Sequence, residues 1–554
     1  MEEPICQPLI EPSFYDLVVV GTGLPESILA AGASAIGKSV LHLDPNGFYG
    51  SHFSSLSLHP FIQFLETQQN IPSQLPEHPT VIATSSPSDD YSSFSIKSRR
   101  LYSEIEICTF APEALEPSRS FSLDLSGPRV LLCADPMVDL MLKSGASHHI
   151  EFKSIDGNFI YIDGRLSPVP DSREAIFKDR NLGLTEKSQL MRFFKLVHEH
   201  FSSSEGDGQE GRRISEDDLE SPFYKFLRKQ RLPAKIKSII LYAIAMADYD
   251  QESPEDCKKL LRTKDGIEGL ALYHASVGRF PNALGAFIYP IYGQGELPQA
   301  FCRCAAVKGC LYVLRMPVTE MLVSKERSHY KGVRLASGQD IFSHQLLMDP
   351  SIAIPSFVSS SMSDLKYEEF DGSNSGEASK KKVTKVARGV CITSVSVMAD
   401  FPNLLIVFPP RSLHAKQLTS VRAIQLSNML ICPPGLCVLY FATLCDSGIL
   451  GKKSLRAAMK ALFGPIVCEN SESSLPESHE TKPTLLWSAM YIQELAEGVE
   501  LDDVNSCFMP DGTLHYRELL KSTTKLFKKM FLQEELFPET AADATDDEPV
   551  ERPE

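Results

Sequence analysis

The sequence predicts an α/β protein of several domains, with a Rossmann-like core of the flavoprotein type and a small inserted all-helical domain. Its 554 residues are too many for one ordinary hydrophobic core, and 43% hydrophobic with 23% charged residues is typical of a folded chain. The first fifty residues alternate strand, helix and strand, as a dinucleotide-binding unit does. Between about 170 and 277, the spacing of apolar residues changes to the helical period.

The opening βαβ unit is the first element. Residues 15–20 (YDLVVV) form the short β-branched apolar run of a buried parallel strand. Residues 26–36 are predicted to form a helix, and 39–44 a second strand that ends in an acidic residue. The whole unit has about 30 residues, the length of a dinucleotide-binding fingerprint.

The loop between this strand and helix departs from a working dinucleotide site. Glu26 occupies the third glycine position, so a negative charge stands where a pyrophosphate would lie. Two unit charges about 4 Å apart repel by about 4 kcal/mol at an effective dielectric constant of about 20, which weakens binding about a thousandfold. Gly21, Gly23, Glu26 and Asp44 therefore form a degenerate dinucleotide loop, and no cofactor is expected. An FAD-dependent oxidoreductase is the enzymatic alternative.

Composition and periodicity divide the rest of the chain into segments. Residues 1–69 begin the large domain, which is predicted to continue over 123–170, 278–355 and 386–535. The remaining predictions are a low-complexity insertion at 70–122, a helical domain at 171–277, a mobile loop at 356–385 and an acidic disordered tail at 536–554.

Later elements of the large domain follow from short apolar runs. The predicted strands are 129–132, 159–165, 311–314, 345–349, 390–397, 404–408 and 436–443. The predicted helices are 136–144, 453–463 and 519–531. The uncharged run 423–445 contains a Pro-Pro-Gly break, which favours strand, turn and strand over a membrane span.

Charge and cysteine content limit the function classes. Acidic residues outnumber basic residues by 71 to 55, a net charge of −16, and such a surface repels phosphodiester backbones. No nucleic-acid partner is therefore expected. The thirteen cysteines include no CxxC pair and predict reduced, mostly buried thiols in a cytosolic protein. No metal site is expected, because the pair His148-His149 has no further ligand at metal spacing.

Three blocks of sequence resemble the superfamily of Rab GDP-dissociation inhibitors and Rab escort proteins. The first is 16–29 (DLVVVGTGLPESIL), where Gly-Thr-Gly-Leu-x-Glu replaces the third glycine of flavoenzymes. The second is 40–50 (VLHLDPNGFYG), and the third and most specific is 278–303 (GRFPNALGAFIYPIYGQGELPQAFCR). Gln294 in the third block, the long insertion after the second block and the segment 222–232 (PFYKFLRKQRL) resemble the escort branch.

The resemblance implies a non-catalytic accessory component of a prenyltransferase system. Escort proteins bind newly made Rab GTPases in the GDP form and present them to the Rab geranylgeranyltransferase heterodimer. They then hold the geranylgeranyl lipid of the product and deliver it to a membrane through transient peripheral contact. The alternative within the superfamily is a GDP-dissociation inhibitor that extracts and recycles prenylated Rab.

The resemblance also assigns a Rab-binding surface, to Tyr49, Glu296, Arg303 and, less specifically, Val313. Glu296 and Arg303 are seven residues apart, so on a helix they share one face and are separated by about 10 Å along the axis. That distance is too long for an ion pair, which suggests that both side chains reach toward one partner.

Two further sites are expected in the helical domain. Phe223 and Tyr224 are the candidate contacts for the transferase, although Phe223 could instead pack inward. A groove for the lipid would lie among helices at 185–201, 221–231 and 235–248, where a closed helical core is the alternative. Its candidate lining residues are Phe193, Phe194, Ile240 and Ile244.

Overall fold

The computed structural model describes residues 9–71, 90–170, 176–177, 182–202, 213–253, 255, 257–325, 329–353, 384–427, 429–463, 482–495, 503–532 and 534–538. The strands are Phe14–Val20 (β1), Val40–Asp44 (β2), Ser55–Leu56 (β3), Tyr91–Ser95 (β4), Lys97–Ser98 (β5), Tyr102–Thr109 (β6), Leu123–Asp124 (β7), Leu131–Leu132 (β8), Phe152–Ser154 (β9), Gly157–Ile162 (β10), Arg165–Pro168 (β11), Phe287–Pro290 (β12), Leu311–Leu314 (β13), Val318–Ser324 (β14), Tyr330–Leu335 (β15), Asp340–Met348 (β16), Ile352–Ala353 (β17), Lys385–Thr393 (β18), Leu404–Phe408 (β19), Val421–Leu426 (β20), Cys437–Cys445 (β21), Leu485–Glu494 (β22) and Val504–Ser506 (β23). The helices are Leu24–Ala35 (α1), Leu58–Gln69 (α2), Pro136–Ser144 (α3), Leu184–Ser202 (α4), Glu216–Glu220 (α5), Phe223–Lys229 (α6), Ala234–Ser238 (α7), Thr263–Ser276 (α8), Glu296–Val307 (α9), Gly448–Leu462 (α10) and Arg517–Met530 (α11).

The first sheet contains the Rossmann-like core. Its strands run in the order β13-β2-β1-β16-β15-β14-β4, and β23 pairs with one end of β16. Strands β13, β2, β1 and β16 are parallel neighbours, and α1 connects β1 to β2. Helices α1, α9 and α11 pack together in one hydrophobic cluster beside this sheet. The predicted α/β fold of the flavoprotein type is confirmed.

The second sheet has eight strands in the order β11-β10-β19-β20-β21-β18-β22-β6. Both faces of its central strands are buried, because alternate residues enter different cores. Along β19, Leu405 and Val407 belong to the core shared with the helical block, whereas Leu404 and Ile406 pack in the core under α10. This explains why the sequence of β19 is apolar without alternation.

The helical block of α4 to α8 packs on this sheet through a continuous hydrophobic core. The helix expected over 235–247 is not regular. After α7, residues Ile239–Ile244 form a π-type helical turn, in which the N–H of Ala245 donates to the carbonyl of Ile240 at 2.8 Å. Met246 then takes a left-handed conformation, with φ of 56°, and ends the helix.

The expectation of a low-complexity insertion over 70–122 is wrong for its second half, because 90–122 is structured. Strand β6 forms the edge of the second sheet through pairing with β22, and β4 forms the edge of the first through pairing with β14. Leu101 and Tyr102 are buried in the core of the second sheet. The polar residues of this segment are typical of edge strands, which keep one side toward solvent. Residues 72–89 lie outside the described ranges.

Two predicted boundaries also need correction. The acidic tail does not begin at 536, because Leu536 and Phe537 are buried in the cluster around α1 and α9. The ring of Phe537 stacks on that of Phe301 at 6.2 Å between centroids. The mobile loop does not extend to 385, since Lys385 already pairs with Cys445 and Glu494. Residues 354–383 and 539–554 lie outside the described residues.

The uncharged run 423–445 is strand, turn and strand, as expected: it covers parts of β20 and β21. In the parts of the chain that the structure describes, no helix has the length and apolar character needed to cross a membrane.

Candidate functional site

The degenerate dinucleotide loop is closed by the protein's own side chains. Gly21 takes a left-handed conformation with φ of 98°, and its N–H donates to the carbonyl of Leu43 at 2.7 Å. The backbone N–H of Thr22 donates to Asp44 Oδ2 at 2.8 Å, and the Thr22 hydroxyl donates to the same oxygen at 2.6 Å. Asp44, the acidic residue at the end of β2, is therefore bound to the loop that would hold a phosphate in a working site.

Glu26 fills the remaining space above the loop. Its side chain is 1% exposed, and a Cβ atom added to Gly23 would lie 2.4 Å from Glu26 Oε2. That oxygen has no hydrogen-bond partner among the described residues. Burial, reinforced by the charge of Asp349, raises the pKa of Glu26 well above its ordinary value. Gly23 is thus needed for the close approach of a carboxylate of the same chain.

These residues do not fit a dinucleotide cofactor. A pyrophosphate would meet the buried carboxyl groups of Glu26 and Asp44, and the N–H of Thr22 already has an acceptor. Among the described residues there is also no group of three or more His, Cys, Asp or Glu side chains arranged to hold a metal ion. Cofactor chemistry therefore has no support at this loop.

The segment after β2 positions Tyr49. Asp44 Oδ1 accepts the N–H of Asn46 at 2.7 Å, and the Thr22 hydroxyl accepts the N–H of Gly50 at 2.9 Å. Tyr49 is half-buried, and its ring lies 6.0 Å from that of Tyr312 on β13. Burial raises the pKa of Tyr49, so it remains a neutral phenol that can donate a hydrogen bond.

Glu296 and Arg303 lie on α9, as the spacing predicts. Glu296 is the first residue of the helix, is half-buried and accepts the N–H of Tyr292 at 3.3 Å. Burial raises its pKa, and the positive charge of Arg303 lowers it in part. Arg303 is exposed, and its side chain makes no hydrogen bond or ion pair to another described residue. The helix thus offers a carboxylate and a guanidinium to a partner.

Two of the four predicted Rab-binding residues, Tyr49 and Val313, lie near the carboxyl end of β2. Val313 is half-buried on β13 and pairs with Leu43 of β2, beside the strand end that leads to Tyr49. Its neighbour Tyr312 links Tyr49 to α9, because Tyr312 also contacts the thiol of Cys302. The sequence did not indicate a role for Tyr312, because it is a single aromatic residue in a short predicted strand.

A second residue absent from the sequence predictions is Asp124. This carboxylate is 1% exposed and accepts hydrogen bonds from Ser55, Tyr289 and the backbone of Gln294, at the start of α9. Burial raises its pKa to about 6. The available signal was a single acidic residue between Leu123 and Leu125, inside an otherwise apolar segment.

The structure bears out the alternative given for Phe223, which packs inward, and Tyr224 beside it is also buried. Phe223 is fully buried, stacks on Phe226 and packs so closely on α8 that a Cβ at Gly266 would lie 2.4 Å from its ring. Tyr224 is only 7% exposed, and Arg228 covers its ring at 5.6 Å. The transferase contact of these two residues stays a prediction, which the burial of Phe223 does not support.

The residues proposed for a lipid groove form part of a closed core. Phe193, Ile240 and Ile244 are buried, and Phe194 packs against the same hydrophobic cluster. The ring of Phe193 lies 6.4 Å from that of Phe226. In the described helices these side chains fill the interior, so a lipid could enter only if helices separated.

Comparison with known proteins finds one matching family model and several similar proteins. A family model described as GDP dissociation inhibitor matches residues 11–80 and 88–426. Over 544 residues the chain is 53% identical to Rab escort protein 1 of Arabidopsis thaliana, covering 97% of this chain and 96% of the relative. Over 365 residues it is 32% identical to Rab proteins geranylgeranyltransferase component A of Drosophila melanogaster, covering 63% of this chain and 64% of the relative.

A solved structure shares the fold. The crystal structure of a Rab GDI from Plasmodium falciparum superimposes with a TM-score of 0.64 at 17% identity. The match covers 94% of this chain and 99% of that chain, so both sheets and the helical block belong to one shared architecture.

Proposed function

Because this chain belongs to the GDP dissociation inhibitor family, we propose that it acts as a Rab escort protein. In this role it binds newly synthesised Rab GTPases in the GDP form and presents them to the Rab geranylgeranyltransferase heterodimer. The names of the two relatives support both halves of the proposal, since one is a Rab escort protein and the other a component A of that transferase.

The observation that carries the proposal is the exposed face of α9. On α9, Arg303 is exposed and Glu296 is half-exposed, and the loop that precedes Glu296 contacts Ser55, a few residues after Tyr49. In α/β sheets ligands bind at the carboxyl ends of the strands, and Tyr49 follows that end of β2. Glu26 and Asp44 occupy the loop at which a dinucleotide would bind, which favours a protein partner over a cofactor at this surface.

The escort has no catalytic residues of its own in this proposal. The transferase makes the thioether bond, and the escort supplies binding energy that holds the Rab chain within reach of it. The geranylgeranyl group is then sheltered between the helices α4 to α7, which have to separate to admit it, and its burial contributes about 0.8 kcal/mol for each CH₂ group. The protein works in the cytosol and contacts a membrane only while it delivers the product.

The deciding experiment is transfer of labelled geranylgeranyl from its diphosphate to a recombinant Rab bound to GDP. The transferase heterodimer is tested with and without this protein. We expect transfer to depend on it, and to fall to the level without escort when Glu296→Ala and Arg303→Ala are combined. A matched control combines Glu518→Ala and Lys521→Ala, which removes one charge of each sign from the exposed face of α11.

The outcomes separate the alternatives. If the protein does not stimulate transfer but extracts prenylated Rab from membranes, it is a GDP-dissociation inhibitor. If neither activity is found, the escort proposal is incorrect. If the control variant on α11 loses as much transfer as the α9 variant, the charges act non-specifically. The assignment of the Rab-binding surface to α9 would then be incorrect.

A further inference from the structure

We propose that Asp124 is a positioning residue: its buried carboxylate joins the segment that follows Tyr49 to the loop that precedes Glu296, and thereby fixes the Rab-binding surface. This inference rests on the proposed function. Asp124 would not touch the Rab protein itself but would act through Glu296.

The carboxylate connects three separate parts of the chain. Asp124 Oδ1 accepts the hydroxyl of Ser55 at 2.5 Å and the N–H of Gln294 at 3.0 Å. Its other oxygen accepts the hydroxyl of Tyr289, on β12. Ser55 in turn accepts the N–H of Gly295 at 2.7 Å, so two consecutive N–H groups are held before α9 begins.

The hydrogen bonds of Asp124 and Ser55 explain why positions 293 and 295 of the third block are glycine. Gly293 takes a left-handed conformation with φ of 104°, and a Cβ there would lie 2.6 Å from Ser55 Oγ and 2.9 Å from Asp124 Oδ1. A Cβ at Gly295 would lie 2.6 Å from the backbone nitrogen of Ser55. The loop therefore has to approach Ser55 and Asp124 closely, and only glycine permits the approach.

Hydrogen bonds to this loop fix the position of Glu296. The N–H of Glu296 donates to the carbonyl of Gly293 at 3.2 Å, and the side chain accepts the N–H of Tyr292. Without the carboxylate, the N–H of Gln294 and the hydroxyls of Ser55 and Tyr289 would lose a buried acceptor. The loop would then move to recover those hydrogen bonds, and Glu296 would move with it.

The test is the affinity of a Rab·GDP for the protein with Asp124 replaced. We expect Asp124→Ala to weaken binding by about tenfold or more, as the loss of a hydrogen bond to a charged group does. Asp124→Asn keeps an oxygen for Ser55 and Gln294, so its affinity should stay within about threefold of the unmodified protein. Affinity for the transferase heterodimer should not change in either variant.

A double-mutant cycle separates positioning from a general structural role. In the background of Glu296→Ala, Asp124→Ala should weaken Rab binding by less than about twofold further, because the group it positions is already absent. Thermal unfolding and circular dichroism check that the variants fold. If Asp124→Ala does not fold, Ser55→Ala removes the acceptor of Gly295 and should show the same non-additive loss.

Each result has a defined meaning. Unchanged Rab affinity in Asp124→Ala and Ser55→Ala, while Glu296→Ala weakens it, would overturn the inference and leave the proposed function standing. A fully additive loss in the cycle would also overturn it, since Asp124 would then act independently of Glu296. No Rab binding by the unmodified protein would refute the proposed function instead.

Discussion

At the scale of single residues, buried polar groups decide what this fold can hold. The carboxyl group of Glu26, in the first turn of α1, lies close to Gly23, and Asp44 accepts hydrogen bonds from the N–H and hydroxyl of Thr22. Both groups take positions that a nucleotide would need. Arg388 is a second buried polar group: it is 1% exposed and donates five hydrogen bonds, four to carbonyls of two distant loops and one to Gln493 on β22.

Replacement of Glu26 by glutamine should change how stability depends on pH. Burial raises the pKa of Glu26, so between the unfolded and folded pKa values the folded protein binds more protons than the unfolded chain. Its stability contribution therefore falls as pH rises through that window. As the pH rises above the ordinary pKa of a glutamate, the unfolding free energy of the unmodified protein should fall relative to that of Glu26→Gln, measured with urea. Exposed Glu518→Gln is the control, and a parallel pH profile for Glu26→Gln would contradict the prediction.

Loss of the Arg388 guanidinium should be costly. Arg388→Met removes the side-chain donor from the buried carbonyls of Ser126 and Gly127, and one of two donors from the carbonyls of Pro510 and Asp511. We expect the free energy of unfolding to fall by about 2–5 kcal/mol, because each buried acceptor left without a donor costs about 1–3 kcal/mol. Arg388→Lys should recover little, since an ammonium lacks the planar fork of five donors. A loss below about 1 kcal/mol in urea unfolding would contradict this account.

At the scale of elements, the face that a helix buries decides which of its residues can bind a partner. The short helix α6 buries Phe223, Tyr224, Phe226 and Leu227 and exposes its basic residues. In α9, Arg303 is exposed, whereas Phe301 is buried and its ring stacks on that of Phe537. Both helices are amphipathic, but only α9 places its predicted contacts outside.

Truncation of Phe223 distinguishes a core residue from a docking residue. Because its ring fills the space beside Gly266, Phe223→Ala should lower the free energy of unfolding by about 3–5 kcal/mol. The folded fraction should bind the transferase heterodimer as the unmodified protein does. The measurement pairs urea unfolding with titration calorimetry of transferase binding. Near-normal stability with lost transferase affinity would restore the docking role, and Lys225→Ala serves as an exposed control on the same helix.

At the scale of the whole molecule, buried and half-buried ion pairs join the helical block to the second sheet. Arg422 on β20 pairs with Asp248 and donates to the carbonyl of Met246 at 2.5 Å, just after the π-type turn. Arg411 pairs with Asp250 at 2.8 Å. These contacts fix the helices that are proposed to shelter a lipid, so they limit how far those helices can separate.

Removal of Arg422 should destabilise the contact between the helical block and the second sheet more than the rest of the molecule. Arg422→Met leaves Asp248 without its cation, and the free energy of unfolding should fall by about 3–5 kcal/mol. Hydrogen exchange should accelerate first over 234–253, while β18 and β21 stay protected. Arg456→Met, which removes a more exposed partner of Glu106, is the control. Uniform acceleration across the second sheet would contradict a local junction.

Local sequence was enough to predict the elements whose pattern is regular. The opening strand, helix and strand lie within two residues of their predicted bounds, and α4 begins at Leu184, one residue before the predicted start. By contrast, strand β18 begins at Lys385, before the predicted 390–397. Its Arg388 is a charged residue in a buried strand, and the sequence does not show the five acceptors that surround it.

The sequence by itself determined the Rossmann-like opening, the substitution of a carboxylate for the third glycine and the placement of Glu296 and Arg303 on one helix. Each of these depends on residues within one or two turns of each other. Only the tertiary structure decided that Phe223 is buried, that β6 completes the second sheet, and that Asp124 supports the start of α9. Gln294 and Asp124 are 170 positions apart, and Ser55 and Asp124 are 69 apart. Hydrogen bonds across such separations leave no periodic pattern in the chain, because they form only after the sheets have brought their segments together.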